Sequence, residues 1–148
     1  MKFMINGAIT LGTLDGANVE IHETVGDEHI FLFGMTAEEV EALWRRGYNP
    51  REFLTPELEQ VLRMLTSGVL GQRYDDLVAS LLTNRFGVAD GFMTIADFKD
   101  YARAQQDISN AYPNRTAFTA MSLVNIAKAG IFSADRAVRE YAENIWHL

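Results

Sequence analysis

Cysteine is absent from the 148 residues. Disulfide frameworks, thiolate nucleophiles and thiolate metal sites are therefore excluded together, and this usage suits a reducing compartment. Lysine is scarce: among 13 lysines and arginines the only lysines are Lys2, Lys99 and Lys128, so chemistry that needs a primary amine has just these candidates. Positive charge is the minority throughout. With 20 acidic residues and a formal net charge of −7, the chain has no basic field to attract a nucleic-acid backbone or an anionic membrane. Long hydrophobic runs are missing too, since no stretch approaches the roughly 20 apolar residues of a membrane span. Asn6, Gly7, Thr10, Gly12 and Thr13 interrupt the opening segment where a secretory leader would be unbroken. These deficits describe a cytoplasmic chain with no nucleic-acid and no membrane partner.

What is present suffices for a core. The hydrophobic content is 48% over a length that fits one domain. Residues 8–12, AITLG, and 29–33, HIFLF, are short apolar segments bounded by glycine and acidic turn residues, and they read as buried strands. Between them GANVEIHETVG reads as a short helix ending at Gly26. From Thr36 the period becomes helical. Thr36 and Glu39 have capping-box spacing, Val40, Leu43 and Trp44 form an apolar stripe, and Gly47 suits the C-terminal cap. Thr55 before Pro56 starts the next helix, with Leu58, Val61, Leu62 and Leu65 on one face and Gly68 at its end.

Tyr74, Leu77, Val78, Leu81 and Leu82 make a further stripe. Another helix is expected from near Thr94, with Phe98, Tyr101 and Ala102 inward, broken at Pro113. Phe118, Met121 and Ala127 mark one more, up to Gly130. Ser133 is expected to cap a last helix with Val138, Tyr141, Ala142 and Ile145 on one side. The pattern is α/β and mostly helical, two strands followed by about six helices. Residues 1–35 form a sheet-derived segment and residues 36–148 a helical segment, and the stretch NPREFLTPE reads as the internal joint. So small a sheet cannot support this many helices, which points to a larger parallel sheet whose other strands lie elsewhere.

Several motif-like patterns fail on spacing. HETVG at His22 opens like a zinc-binding pair, but the second histidine would fall on Gly26, so His22 reads as an exposed helix residue. A calcium-loop register around Asp90-Gly91 would put Phe86 and Val88 where carboxylates must coordinate, so this segment reads as a turn before a helix. Gly7, Gly12 and Gly16 do not follow the dinucleotide-binding spacing and read as tight turns. Glu38, Glu39, Asp75 and Asp76 read as solvated helix starts.

The opening MKFMINGAITLGTLDGANVEI, the later HIFLFGMTAEEV and the closing FSADRAVREYAENIW together resemble the C-terminal end of the glycogen, starch and maltodextrin phosphorylases. The likeness spans nearly the whole chain, and between about Asn49 and Arg115 it rests mainly on the helical pattern. It implies the C-terminal portion of the pyridoxal-phosphate-binding domain of a GT-B-type, Rossmann-like glycosyltransferase. It assigns to Lys2 the role of the lysine that carries pyridoxal 5′-phosphate. The implied reaction is reversible phosphorolysis of a terminal α-1,4-glucosyl unit, yielding glucose 1-phosphate, with the cofactor phosphate exchanging protons with substrate phosphate. Asn6, Gly7, Thr10, Gly12, Thr13, Asp15 and Gly16 match the family as scaffold around the lysine.

The family's Ser-Gly-Thr-Gly-Asn segment, which precedes that lysine and holds phosphate by backbone N–H groups, is not in this sequence. The expectation is a phosphorylase portion that is inactive alone and acts with the missing N-terminal part or as a homo-oligomer on α-glucan and phosphate. Its alternative is a non-catalytic binding or regulatory protein derived from a phosphorylase C-terminus. Orphan strand edges in residues 1–35 are expected to drive self-association.

Overall fold

Parallel strands cannot be joined by a hairpin, and the segment between residues 12 and 31 supplies the crossover they need. In the computed structural model, which describes residues 1–69 and 71–148, strand β1 (Leu11–Gly12) pairs in parallel with β2 (Phe31–Leu32), Leu11 opposite Phe31 and Gly12 opposite Leu32. Helix α2 (Ala17–Val25) and a 3₁₀ turn (Asp27–His29) connect them. The strands are shorter than their apolar segments, and they are half-buried instead of buried. Burial falls instead on Ile30, beside β2, and on Ile21 and Val25 of α2. A one-turn helix, α1 (Lys2–Ile5), precedes β1 where no element was expected.

By internal contacts the chain divides into two compact units, Met1–Phe33 with Arg103–Leu148, and Gly34–Ala102. In the first, Met4, Ile21, Val25, Ile30 and Ala129 form the buried cluster, with Leu32 and Phe132 against it. Its C-terminal elements are the second part of α6 (Phe98–Ala111), α7 (Arg115–Lys128), a 3₁₀ turn (Ala129–Phe132), α8 (Ala134–Tyr141) and a π turn (Ala142–Trp146). Pro113 separates α6 from α7. The Asn114 side chain then accepts the Ala117 N–H at 3.2 Å, so α7 starts with a side-chain cap. Ser133 occupies the cap position of α8 without a side-chain capping bond, contrary to expectation; its carbonyl accepts the Ala137 N–H.

The expected stripe runs from α8 into the π turn and is mostly exposed, with Val138 at 60% and Ile145 at 62%; Ala142 alone of it is half-buried. The helical stretch Arg115–Trp146 is also long and apolar enough to cross a membrane by length and composition, which the residue-by-residue reading did not anticipate; only 11% of its most apolar window is buried.

The second unit follows its local signals closely. Helix α3 (Ala37–Arg46) starts with the full capping box of Thr36 and Glu39 and ends at Gly47 in the left-handed region. Helix α4 (Pro56–Ser67) starts at Thr55, whose hydroxyl accepts the Leu58 N–H, and ends at Gly68, also left-handed. Helix α4 packs with α5 (Asp75–Leu82) around Leu58, Leu62 and Ile95, against which Phe53, Leu54, Leu65, Val78 and Phe98 also lie. Residues 49–57 are thus part of this unit's packing and not a joint: Pro50 is buried, and Phe53 and Leu54 sit on the cluster.

Helix α6 begins at Phe98, not Thr94. The reason is Asp90. Its φ of 48° lies in the left-handed region, and its carboxylate takes the N–H groups of Thr94 and Ile95, each at 2.8 Å. That closes a local turn which competes with helix over residues 90–97. Within α6 Phe98 packs inward as expected and Ala104 is buried at 1% exposure, whereas Tyr101 and Ala102 are exposed.

Candidate functional site

Lys2 lies on α1, and its side chain is exposed with no ion-pair or hydrogen-bond partner among the described residues. Its backbone is well fixed. Asn6 donates its side-chain amide to the Lys2 carbonyl at 2.8 Å, closing the turn from its C-terminal end. The Gly7 and Ala8 N–H groups return to Met4 and Phe3 at 2.9 and 3.0 Å. Met4, at 1% exposure, plugs the turn into the cluster of Ile21, Val25, Ile30 and Ala129. The lysine is therefore an exposed side chain on an anchored base.

The base is also tied to α7. Ser122 donates its hydroxyl to the Gly7 carbonyl at 2.6 Å. Gly7 has φ of 80°, and a Cβ placed there would stand 2.4 Å from the Ser122 Oγ, so glycine is required both for the turn and for the close approach. One turn further along α7, Asn125 is fully buried. Its amide donates to the carbonyls of His29 at 2.9 Å and Met121 at 3.0 Å, and its Oδ1 has no partner. Helix α7 thus holds both the lysine turn and the entry to β2. The sequence reading missed both residues, although an asparagine amid the apolar MSLVNIA run was a visible signal for Asn125.

After β1 the chain turns through residues 13–16. Asn18 donates to the Thr13 carbonyl at 2.9 Å, Thr13 donates to Asp15 at 2.9 Å, and α2 starts at Gly16 without a side-chain cap. Of the matching scaffold residues, Asn6, Gly7, Gly12, Thr13, Asp15 and Gly16 have backbone or packing roles here, and the Thr10 carbonyl accepts the Phe31 N–H at 2.9 Å. A Cβ on Gly12 would meet the Asn18 amide at 2.5 Å.

The other singled-out residues serve structure. His22 is half-buried, not exposed, and its Nε2 meets the exposed Asp27 carboxylate. Asp90, in the second unit, accepts the Tyr48 hydroxyl at 2.6 Å in addition to its backbone donors. Burial, followed by that bond to Asp90, drives the Tyr48 phenol far above its ordinary range. Burial likewise pushes the Asp97 carboxyl up. The Met35 N–H, donated at 3.0 Å, opposes the shift, and the nearby charges of Asp100, Asp90 and Glu39 add to it. Among the described residues no group of three or more acidic, histidine or cysteine side chains could hold a metal ion. Phe86, which the calcium-loop register involved, has its side chain outside the described residues.

A lysine-bearing turn leading into a parallel strand–helix–strand unit, in a mostly helical chain, fits a portion of an α/β glycosyltransferase fold. Family comparison specifies which. The carbohydrate phosphorylase family matches residues 1–148, and the chain belongs to that family. It is 45% identical over 148 residues to the muscle form of glycogen phosphorylase from Homo sapiens, covering 99% of this chain and 18% of that protein. Identity to the liver form from Homo sapiens is 42% over 150 residues, covering 100% of this chain and 18% of the relative. For the muscle form from Oryctolagus cuniculus it is 43% over 148 residues, with 99% and 17% covered. The chain therefore spans less than a fifth of the length of these relatives.

The donor chemistry of α1 fits one end of pyridoxal phosphate: condensation with its aldehyde requires a primary amine, and Lys2 offers one that is exposed and, among the described residues, unpaired. Lys99 and Lys128 are exposed as well, but they project from the long helices α6 and α7.

Proposed function

We propose that the chain is part of an α-glucan phosphorylase and that Lys2 carries pyridoxal phosphate within it. The observation that carries this reading is the lysine turn itself. Lys2 stands in the Met-Lys-Phe-Met sequence with a free amine, on a base locked by Met4 at 1% exposure. Anchoring the backbone limits the volume that the amine samples, and this is how a protein converts a bimolecular condensation into a positioned one. When bound, the cofactor supplies a phosphate whose second pKa of about 6 suits proton exchange with substrate phosphate near neutral pH.

On this reading the substrates are inorganic phosphate and the terminal α-1,4-glucosyl unit of an α-glucan, the product is glucose 1-phosphate, and the setting is the cytoplasm. Positioning and electrostatic stabilisation supply most of an enzyme's barrier reduction. A chain spanning 18% of its human muscle relative shares those tasks with the remainder and is inactive alone. The exposed Phe3, Ile5, Leu123 and Ile126 of the first unit supply the apolar surface for that remainder or for a homo-oligomer.

Glucose 1-phosphate release tests the proposal. The chain with phosphate, maltodextrin and cofactor is expected to release none. Adding the complementary phosphorylase polypeptide should restore release, and Lys2→Ala should abolish it. Turnover by the chain alone at about 1–1000 per second would overturn the shared-site reading. A complemented mixture unaffected by Lys2→Ala would remove Lys2 from the role. Complementation that fails altogether would favour a non-catalytic binding protein. Light scattering on the purified chain is expected to show a dimer or larger species, and a monodisperse monomer would refute self-association.

A further inference from the structure

We propose that Ser122 is a positioning residue for Lys2, acting through the Gly7 carbonyl; this rests on the reading of Lys2 as the cofactor lysine. The hydroxyl reaches the lysine turn across 115 residues of sequence, at 2.6 Å. From Gly7 the connection to Lys2 is short and continuous: the Gly7 N–H bonds to Met4 and the Asn6 side chain bonds to the Lys2 carbonyl. Gly7 has no Cβ to hold the helix away, so the approach is as close as a hydrogen bond allows.

Met4 alone would leave the turn free to swivel about a single flexible thioether side chain, since methionine adapts readily to its surroundings. A directional bond at the other end of the turn removes that freedom. Ser122 and Met4 are therefore complementary restraints, one directional and one apolar. Ser122 is only half-buried, so its value lies in direction more than in burial. The expected consequence is kinetic. Losing the bond should let the Lys2 arm sample more space and capture an aldehyde less efficiently, while Lys99 and Lys128 are untouched.

The test is borohydride trapping of the full chain with a limiting amount of pyridoxal phosphate. Tandem mass spectrometry then separates Lys2 from the Met1 amine, Lys99 and Lys128. The unsubstituted chain is expected to label Lys2 in preference to the other two lysines. Ser122→Ala should lower that preference by about fivefold, the effect of one ordinary hydrogen bond, and Ser122→Thr should restore it. A purely structural role would not produce a loss confined to Lys2 and rescued by a hydroxyl. If Ser122→Ala does not fold, Ser122→Cys, similar in volume but a weak donor, should show a partial loss. Unchanged Lys2 preference in a folded Ser122→Ala or Ser122→Cys variant overturns the positioning role and leaves the Lys2 reading intact. Equal labelling of all three lysines in the unsubstituted chain overturns the Lys2 reading itself, and this inference with it.

Discussion

The unit built from Gly34–Ala102 and the unit built from Met1–Phe33 with Arg103–Leu148 reach order by different means. In the former, helix starts are written into adjacent residues: Thr36 with Glu39, and Thr55 with Leu58. A buried aspartate then gathers the Tyr48 hydroxyl and the Thr94 and Ile95 amides. In the latter, order comes from contacts far apart in sequence, Ser122 to Gly7 and Asn125 to His29. Its helices meanwhile leave Leu123, Val138, Tyr141, Ile145 and Trp146 exposed. A segment stabilised by local caps can close on itself. The difference is one of degree, since Met35 to Asp97 and Tyr48 to Asp90 also tie distant residues in the former unit, and it too leaves apolar side chains exposed, Phe92 at 95% among them.

Substitutions sharpen this contrast. The largest effect is expected from Met4→Ala, which empties a site at 1% exposure in the cluster of Ile21, Val25, Ile30 and Ala129. About 2–4 kcal/mol should be lost, and amide exchange should rise first in residues 1–33 and 103–148. Equal loosening of Gly34–Ala102 would break the distinction between the units.

Asp90→Ala should come next, at about 2–3 kcal/mol in urea denaturation, because it strands two backbone donors and a phenol and puts alanine at a left-handed φ. Asp90→Asn should cost less, since the amide oxygen still accepts. A loss below that of an ordinary surface change would show that the turn at residues 90–97 holds without the carboxylate.

Thr36→Ala removes only the cap of α3 and should cost about 1 kcal/mol, seen as a lower denaturation midpoint.

The smallest effect is expected to have the opposite sign. Burial and neighbouring carboxylates raise the proton affinity of Asp97 in the folded chain. The protonated form is thus favoured by folding, and the stability it contributes is present at low pH and lost as pH climbs through and above the ordinary carboxylate range. Asp97→Asn keeps an acceptor for the Met35 N–H and removes the charge. It should therefore raise the melting temperature slightly at pH 7 and have no such benefit in acid. A lower melting temperature at pH 7 would mean that the ionised carboxylate contributes more through its bond to Met35 than it costs by repulsion.

Much of this was legible from residue order. Gly47 and Gly68 end their helices where the pattern broke, because a left-handed residue after a helix is a single-position requirement that glycine meets. The family itself was legible because the motifs that carry it, the opening residues 1–21 above all, are contiguous in sequence. The start of α6 was not legible: a periodic apolar pattern extended back to Thr94, and the competing turn depends on where the Asp90 side chain points. Nor was the outward direction of α8. Amphipathic spacing says which residues share a face, but not whether anything lies against it.

The sequence by itself determined the helix boundaries set by caps and glycines, the scarcity of amines that leaves only Lys2, Lys99 and Lys128, and membership in the carbohydrate phosphorylases. Tertiary structure alone decided that the opening residues and the last third of the chain form one unit, that Ser122 bonds to Gly7, and that Asn125 is buried between Met121 and His29. The physical reason is range. Caps and turns act over three or four residues and leave a pattern, whereas a bond spanning 115 residues exists only once the chain has folded and leaves no period to read.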